Sequence, residues 1–251
     1  MKLGFLKSSN FWSVSIAALA LLFSLTPPLS EWIPDKDLSM LHSNRTAIGN
    51  YFGIVSYGLQ IDLKNEGNKP LSITKLVLEL TDPDSTKSSL IAETITQFSG
   101  GPNAIVTPIT RIVIKPDEQW SNLVYFYPKH DPEMEYKINQ VRFKIVEDLG
   151  DQQAVIGGQR LIRAPRHLVK EAKDLFDQNF DLKKGKYSVK LIAYSEKEIL
   201  RANSFQFEVH DFQIQANQSQ KNDYKYGMGI YGPAQNIKMT WLKNNSIKIK
   251  E

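Results

Sequence analysis

The chain has 251 residues, which is enough for one large domain or two small ones, and its 41% hydrophobic and 23% charged residues are typical of a folded protein. It contains no cysteine, which excludes disulfide scaffolds, cysteine-ligated metal sites and cysteine nucleophiles. The formal net charge of +4 comes from the two ends of the chain, because acidic side chains slightly outnumber basic ones over residues 31–220. Composition therefore predicts a folded protein without indicating a reaction.

The N-terminal segment is apolar. No Asp, Glu, Lys or Arg occurs between Ser8 and Ser30. An unbroken helix of this length would reach about 35 Å, enough to cross a hydrocarbon core of about 30 Å. We therefore predict a short tail over 1–10, a transmembrane anchor over 11–30 and a connector over 31–50. The side chains expected to anchor this helix in the lipid bilayer are Trp12, Leu19, Leu22, Phe23 and Trp32.

Two alternatives compete with the anchor. Lys2 and Lys7 before an apolar run would suit a cleaved signal peptide, although no Ala-x-Ala-like site follows Leu25. A buried core helix is disfavoured because the segment has no polar face. We favour the retained anchor, with the C-terminal part extracytoplasmic, either periplasmic or extracellular.

Alternating residues dominate the next part of the chain. Apolar side chains recur at every second position from Val55 to Leu63, and the pattern resumes over Leu76–Leu80 beyond the Asn65–Pro70 turn. Further short strands are expected, including one over Val141–Glu147. Many short strands without intervening helices favour a mostly β fold, and we predict an immunoglobulin-like β-sandwich over 51–153.

The second half contains one predicted helix. From Pro165 onward, Leu168, Ala172, Leu175 and Phe176 form an apolar stripe at helical spacing. Strand patterns then return, and we predict a second small β-rich subdomain over 154–220, with a single continuous domain as the alternative. Residues 221–251 form a basic segment rich in Tyr and Gly.

The opening third resembles a class of uncharacterised bacterial single-pass membrane proteins. The matching stretches are Phe23–Pro28, Leu59–Gly67, Pro70 and Ile73–Leu80. In that class a short N-terminal tail and one span precede an immunoglobulin-like β-domain. The resemblance implies a membrane-tethered sandwich and assigns no functional residue.

Candidate chemistry is sparse. Asp82, Asp84 and Ser85 could contribute to a Ca²⁺ loop, but we interpret them as a surface turn. The sequence has no Gly-x-Ser-x-Gly elbow and no phosphate-binding loop, and its four histidines lack metal-ligand spacing. We therefore predict no catalytic residue, no metal and no cofactor.

One basic run could bind an anionic ligand. Its members are Arg160, Arg163, Arg166, Lys170 and Lys173. Interleaved acidic residues instead favour a solvated helix face with pairs such as Lys170–Asp174 and Lys173–Asp177. Nucleic acid is not expected as a partner.

The functional hypothesis is a membrane-anchored binding or assembly module without catalysis of its own. One alternative is an envelope-polymer hydrolase that pairs carboxylates such as Asp131, Glu133 and Glu135 across loops. Another is a subunit of a larger membrane complex with a protein partner.

Overall fold

The computed structural model describes residues 35–98, 104–129, 131–152, 163–196, 198–229 and 239–246. It also describes seven helical residues between 13 and 24. All statements below concern these residues.

Eleven strands are found in the described ranges, and all their pairings are antiparallel. They are β1 (Leu38–Tyr51), β2 (Ile54–Asn65), β3 (Leu71–Ile73), β4 (Lys75–Thr81), β5 (Lys87–Phe98), β6 (Ala104–Pro108), β7 (Ile112–Ile114), β8 (Gln119–Pro128), β9 (Gly185–Ser195), β10 (Glu198–Val209) and β11 (Thr240–Ser246).

Eight of these strands close into one barrel. Their order is β4-β9-β10-β11-β1-β2-β8-β5, and β5 returns to pair with β4 through Val77–Ile91 and Thr81–Lys87. The prediction of an immunoglobulin-like sandwich is therefore wrong. Both architectures need one buried face per strand, so the alternating pattern did not distinguish them. The pairing of β4 with its neighbour β5 on one side and with the distant β9 on the other decides the outcome.

The barrel interior is apolar and continuous. On β2, the alternation predicted from the sequence is confirmed, because Leu59, Ile61 and Leu63 are fully buried. Phe205 and Phe207 of β10 and Leu191 of β9 meet them in the same core. The strand ladder therefore forms a packed core across most of its length.

The two ends of the barrel are closed differently. At one end, β3 pairs with β7 and buries Leu71, Ile73, Ile112 and Ile114 against the interior. At the other end lie the helices, since each follows or precedes a strand at that end. They are α1 (Pro132–Gln152), α2 (Arg166–Asn179), α3 (Asp211–Gln218) and a 3₁₀ helix (Ser219–Gly229).

Several predicted boundaries need correction. Residues 141–147 lie inside α1, where Ile138, Val141 and Ile145 are buried at helical spacing. β1 occupies most of the predicted connector over 31–50, and the bulge between His42 and Thr46 interrupts the alternation that would have revealed it. The predicted helix after Pro165 is α2, with its apolar stripe buried.

The second half does not form a separate β unit. β9 and β10 join the same sheet as β1 and β2, and β11, from the basic C-terminal segment, lies between β10 and β1. One barrel therefore contains strands from the predicted regions 31–50, 51–153, 154–220 and 221–251.

The transmembrane prediction is also corrected. In the part of the chain that the structure describes, no helix is both long and apolar enough to cross a membrane. A single-pass anchor, and the extracytoplasmic location inferred from it, therefore lack support. Most of the predicted span over 11–30 lies outside the described residues, and so do all five predicted anchoring side chains, Trp12, Leu19, Leu22, Phe23 and Trp32.

The turn between β1 and β2 joins the barrel to the helices. Phe52 is 1% exposed and packs in a second apolar cluster with Phe176 of α2 and Tyr224 of the 3₁₀ helix. Gly53 follows with φ +83°, and a Cβ there would lie 2.3 Å from the carbonyl oxygen of Phe176. Only glycine fits both the left-handed backbone and this close approach.

We expect Gly53→Ala to lower the free energy of unfolding by about 2 kcal/mol or more, through backbone strain and displacement of α2. Urea denaturation followed by circular dichroism measures it. Gly58→Ala is the control, because the nearest atom to its Cβ belongs to the Tyr125 ring rather than to the backbone. Equal losses in the two variants would contradict the assigned role of the turn.

Candidate functional site

A cavity of about 540 Å³ lies at the helical mouth of the barrel, between the strand ends and helix α1. Its lining includes four tyrosines, five carboxylates and two cationic side chains. These residues are Tyr51, Tyr57, Tyr127, Tyr187, Asp82, Glu93, Asp131, Glu135, Asp181, Lys129 and Arg142. Tyr51 is 49% exposed, so solvent reaches the wall at this end.

Two tyrosines, Tyr57 and Tyr187, form the floor of the cavity and pack against Phe207. The ring of Phe207 stacks on Tyr187 with centroids 5.2 Å apart and lies 6.0 Å from the ring of Tyr57. Tyr57 is 5% exposed and Tyr187 is 3% exposed. Both belong to alternating strands, so their rings face inward and their positions near the strand ends place them at the mouth.

The two floor phenols remain protonated at neutral pH. Burial raises the pKa of Tyr57 well above its usual value, and the nearby Tyr187, Asp181 and Asp82 raise it further. The pKa of Tyr187 is also raised, mainly by burial. Within the described ranges the Tyr57 hydroxyl has no hydrogen-bond partner, and because Tyr57 lines the cavity this hydroxyl is available to donate to or accept from a ligand.

An ion-pair cluster fixes the rim. The ammonium of Lys183 lies 2.7 Å from a carboxylate oxygen of Asp82 and 2.8 Å from one of Asp84. The hydroxyl of Tyr187 accepts a hydrogen bond from the backbone N–H of Lys183 and donates one to its carbonyl oxygen. These contacts join the β4–β5 turn to the segment that leads into β9.

Asp82 also organises its own turn. Its Oδ1 accepts hydrogen bonds from the backbone N–H groups of Asp84, at 3.0 Å, and Thr86, at 2.7 Å. These hydrogen bonds are those of a surface turn, as predicted for the segment from Asp82 to Ser85. Within the described ranges, no group of three or more His, Asp or Glu side chains could hold a metal ion.

Helix α1 supplies the roof. Asp131 caps it, since Oδ1 accepts the backbone N–H groups of Glu133 at 3.0 Å and Met134 at 3.3 Å. Arg142, which also lines the cavity, opposes with its positive charge the rise in the pKa of the Tyr51 phenol that burial causes. From α2, the side-chain amide of Asn179 donates to the carbonyl oxygen of Phe52 at 3.1 Å.

The carboxylates proposed for a hydrolase separate into two groups. Asp131 and Glu135 line the cavity, and Asp131 is engaged in the helix cap. Glu133 lies outside the lining, where its side chain is 80% exposed and pairs with Lys137 at 3.2 Å. The structure therefore brings two of the three to one cavity.

The predicted anionic-ligand patch lies away from the cavity. Arg163, Arg166 and Lys170 are exposed and Lys173 is half-buried at or before α2, while Arg160 lies outside the described residues. The predicted pair Lys173–Asp177 is not formed. Asp177 instead pairs with Lys221, whose Nζ lies 2.7 Å from Asp177 Oδ1. Binding of an anion at this patch stays a prediction.

Sequence reasoning missed the residues that shape the cavity. Tyr57 and Tyr187 were interpreted only as inward-facing strand residues. Arg142 was placed in a predicted strand. Asp181 belongs to no recognisable sequence motif. The available signal was the position of both tyrosines near strand ends that lead to polar turns.

No model of a known protein family matches the chain, and no curated protein sequence matches it. Among solved structures, it is similar to DesR, a beta-glucosidase from Streptomyces venezuelae in complex with D-glucose, at 10% identity and a TM-score of 0.25. That match covers 66% of this chain and 14% of the glucosidase. Likeness at this level carries no argument about fold or function. The resemblance to single-pass membrane proteins and the predicted protein partner are tested by none of these comparisons.

The Asp82–Lys183 pair predicts a pH-dependent stability. The hydrogen bond from Lys183 holds the pKa of Asp82 below its usual value. The resulting stabilisation is present above the unfolded-state pKa of an aspartate, about 4, and is lost as pH falls through the lower folded-state value. Asp82→Asn should therefore destabilise the chain at about pH 7 and much less at about pH 2.5.

Urea denaturation at both pH values measures this difference. Asp84→Asn is the matched control, because Asp84 contacts the same ammonium with a 68% exposed side chain and should contribute less. A loss for Asp82→Asn that is equal at the two pH values would contradict an ionic contribution.

Proposed function

We propose that this protein is a binding module that holds a small organic molecule in the cavity at the barrel mouth. The observation that carries the proposal is a cavity of about 540 Å³ lined by Tyr57, a residue that is 5% exposed and whose hydroxyl is hydrogen-bonded by no described residue.

The size and position of the cavity suit a small ligand. Sites for small molecules are typically clefts of about 300–1,000 Å³, and the mouths of barrels are among their preferred places. The interior below is filled by core side chains such as Leu59 and Phe126, both 0% exposed, so the ligand would occupy the mouth and not the length of the barrel.

The chemistry of the wall also favours binding. Ile54, Leu80 and Ile138 supply apolar contacts, while a few polar groups could fix the orientation of a ligand. The hydroxyl of Tyr57, which no described residue hydrogen-bonds, could both donate to and accept from such a ligand.

The hydrolase alternative receives partial support from the shared position of Asp131 and Glu135. General acid–base work needs both carboxylates directed at the substrate. Asp131 instead holds two backbone N–H groups of α1. We therefore favour binding without catalysis.

Filling the cavity tests the proposal. Asn139 is a half-buried residue of α1 that lines the cavity, and Asn139→Trp should place an indole in the ligand volume. A fragment library spanning cations, neutral molecules and anions is screened by saturation-transfer NMR. Fragments that bind the parent chain should lose most of their signal with this variant.

The control is Gln140→Trp, at an exposed neighbouring position of α1 that does not line the cavity. It should bind the same fragments as the parent chain, and thermal denaturation should show that both variants fold. If no fragment binds the parent chain, or if Asn139→Trp leaves binding unchanged, the proposal is wrong.

A further inference from the structure

We infer that the cavity takes an organic cation, a molecule with an ammonium group on an apolar or aromatic body. This inference rests on the proposed function, because it names the class of ligand for the same cavity.

The first argument is the charge of the wall. Five carboxylates line the cavity against two cationic side chains. Within the described ranges, Glu93 and Asp181 have no ion-pair partner, and both are exposed. Unpaired carboxylates at a partly enclosed wall attract a positive charge more strongly than they would in open solvent.

The second argument is that carboxylates and phenols line the same cavity. Asp82 and Asp181 share it with Tyr57 and Tyr187. A ligand held by Asp181 therefore lies in the same cavity as the Tyr57 oxygen, which can accept a hydrogen bond from an ammonium N–H. Tyrosine rings present a negative π-face, which adds to the attraction for a cation.

The third argument comes from the protein's own ammonium. Lys183 already places its Nζ between the carboxylates of Asp82 and Asp84 at the rim. Asp181 lies two residues away on the same segment. The rim thus stabilises one ammonium with two carboxylates, and a third carboxylate, that of Asp181, remains in the cavity lining for the ammonium of a ligand.

The two cationic residues of the lining, Lys129 and Arg142, are outnumbered by its carboxylates. An anion placed near either of them would share the cavity with Glu93, Asp181 and Glu135. Repulsion by these carboxylates would weaken anion binding.

Three matched indoles test the inference on the full chain: tryptamine is a cation, tryptophol is its neutral alcohol analogue, and indole-3-acetate is an anion. Isothermal titration should give the tightest binding for tryptamine, roughly tenfold above tryptophol, the scale of one charge-assisted hydrogen bond. Indole-3-acetate should bind weakest. The preference for tryptamine should shrink as salt is added.

Asp181→Asn isolates the carboxylate. Because Asp181 is exposed, the variant should fold, and it should weaken tryptamine binding severalfold while leaving tryptophol unchanged. Glu208→Gln is the matched control, since it removes the same charge from an exposed residue outside the cavity lining and should change neither affinity.

The outcomes separate the two proposals. If tryptophol or indole-3-acetate binds as tightly as tryptamine, or if only neutral or anionic library fragments bind at the cavity, the cation inference is overturned and the binding function stands. If neither the indoles nor any library fragment binds the parent chain, both proposals are overturned together.

Discussion

The helical end of this protein depends on one two-residue turn between β1 and β2. Phe52 has a positive φ of 50° and is 1% exposed, and its ring stacks on Tyr224 with centroids 5.4 Å apart. Its carbonyl oxygen accepts a hydrogen bond from Asn179, while Gly53 lets the backbone approach α2. The turn thereby inserts a barrel side chain into the helical cluster, and the helix α1 that packs in this cluster also roofs the cavity. A strained backbone persists here because the packing around it determines its conformation.

The elements that the sequence revealed are those whose burial follows a simple period. β2 and β9 alternate because one face fills the barrel, and α2 shows a helical stripe because one side meets the second cluster. The elements that it concealed have competing patterns. β1 contains a bulge at residues 42–46, and the apolar positions of α1 over 141–147 also suit a strand. Closure of the barrel was beyond local inference, because β4 must pair with β5 and with β9 more than a hundred residues later.

The candidate site was hidden from sequence reasoning for a related reason. Its residues come from strand ends, from the segment before β9 and from α1, so they carry no common motif. Tyr57 satisfies the inward pattern of β2, and only the three-dimensional position of its hydroxyl distinguishes it from a core residue. The basic run near α2 was visible in the sequence because it is local, yet the fold places Lys221 against Asp177 and leaves that run away from the cavity.

The two walls of the cavity are held by different interactions, the strand wall by backbone hydrogen bonds and the helical roof by side-chain contacts. The strand wall belongs to a closed ladder, in which Tyr57 is paired on both sides and Tyr187 is paired with Phe207 of β10, so the backbone at neither tyrosine can move without breaking strand pairing. The roof is held by side-chain contacts, chiefly the Phe52 cluster and the cap of α1 by Asp131. Fewer backbone bonds join α1 to the barrel than join one strand to the next, so opening of this end costs less than opening of the ladder. Because the floor is fixed and the roof is held separately, a ligand would find an ordered recognition surface and a path into the cavity. A bound ligand would also stabilise the packing of α1.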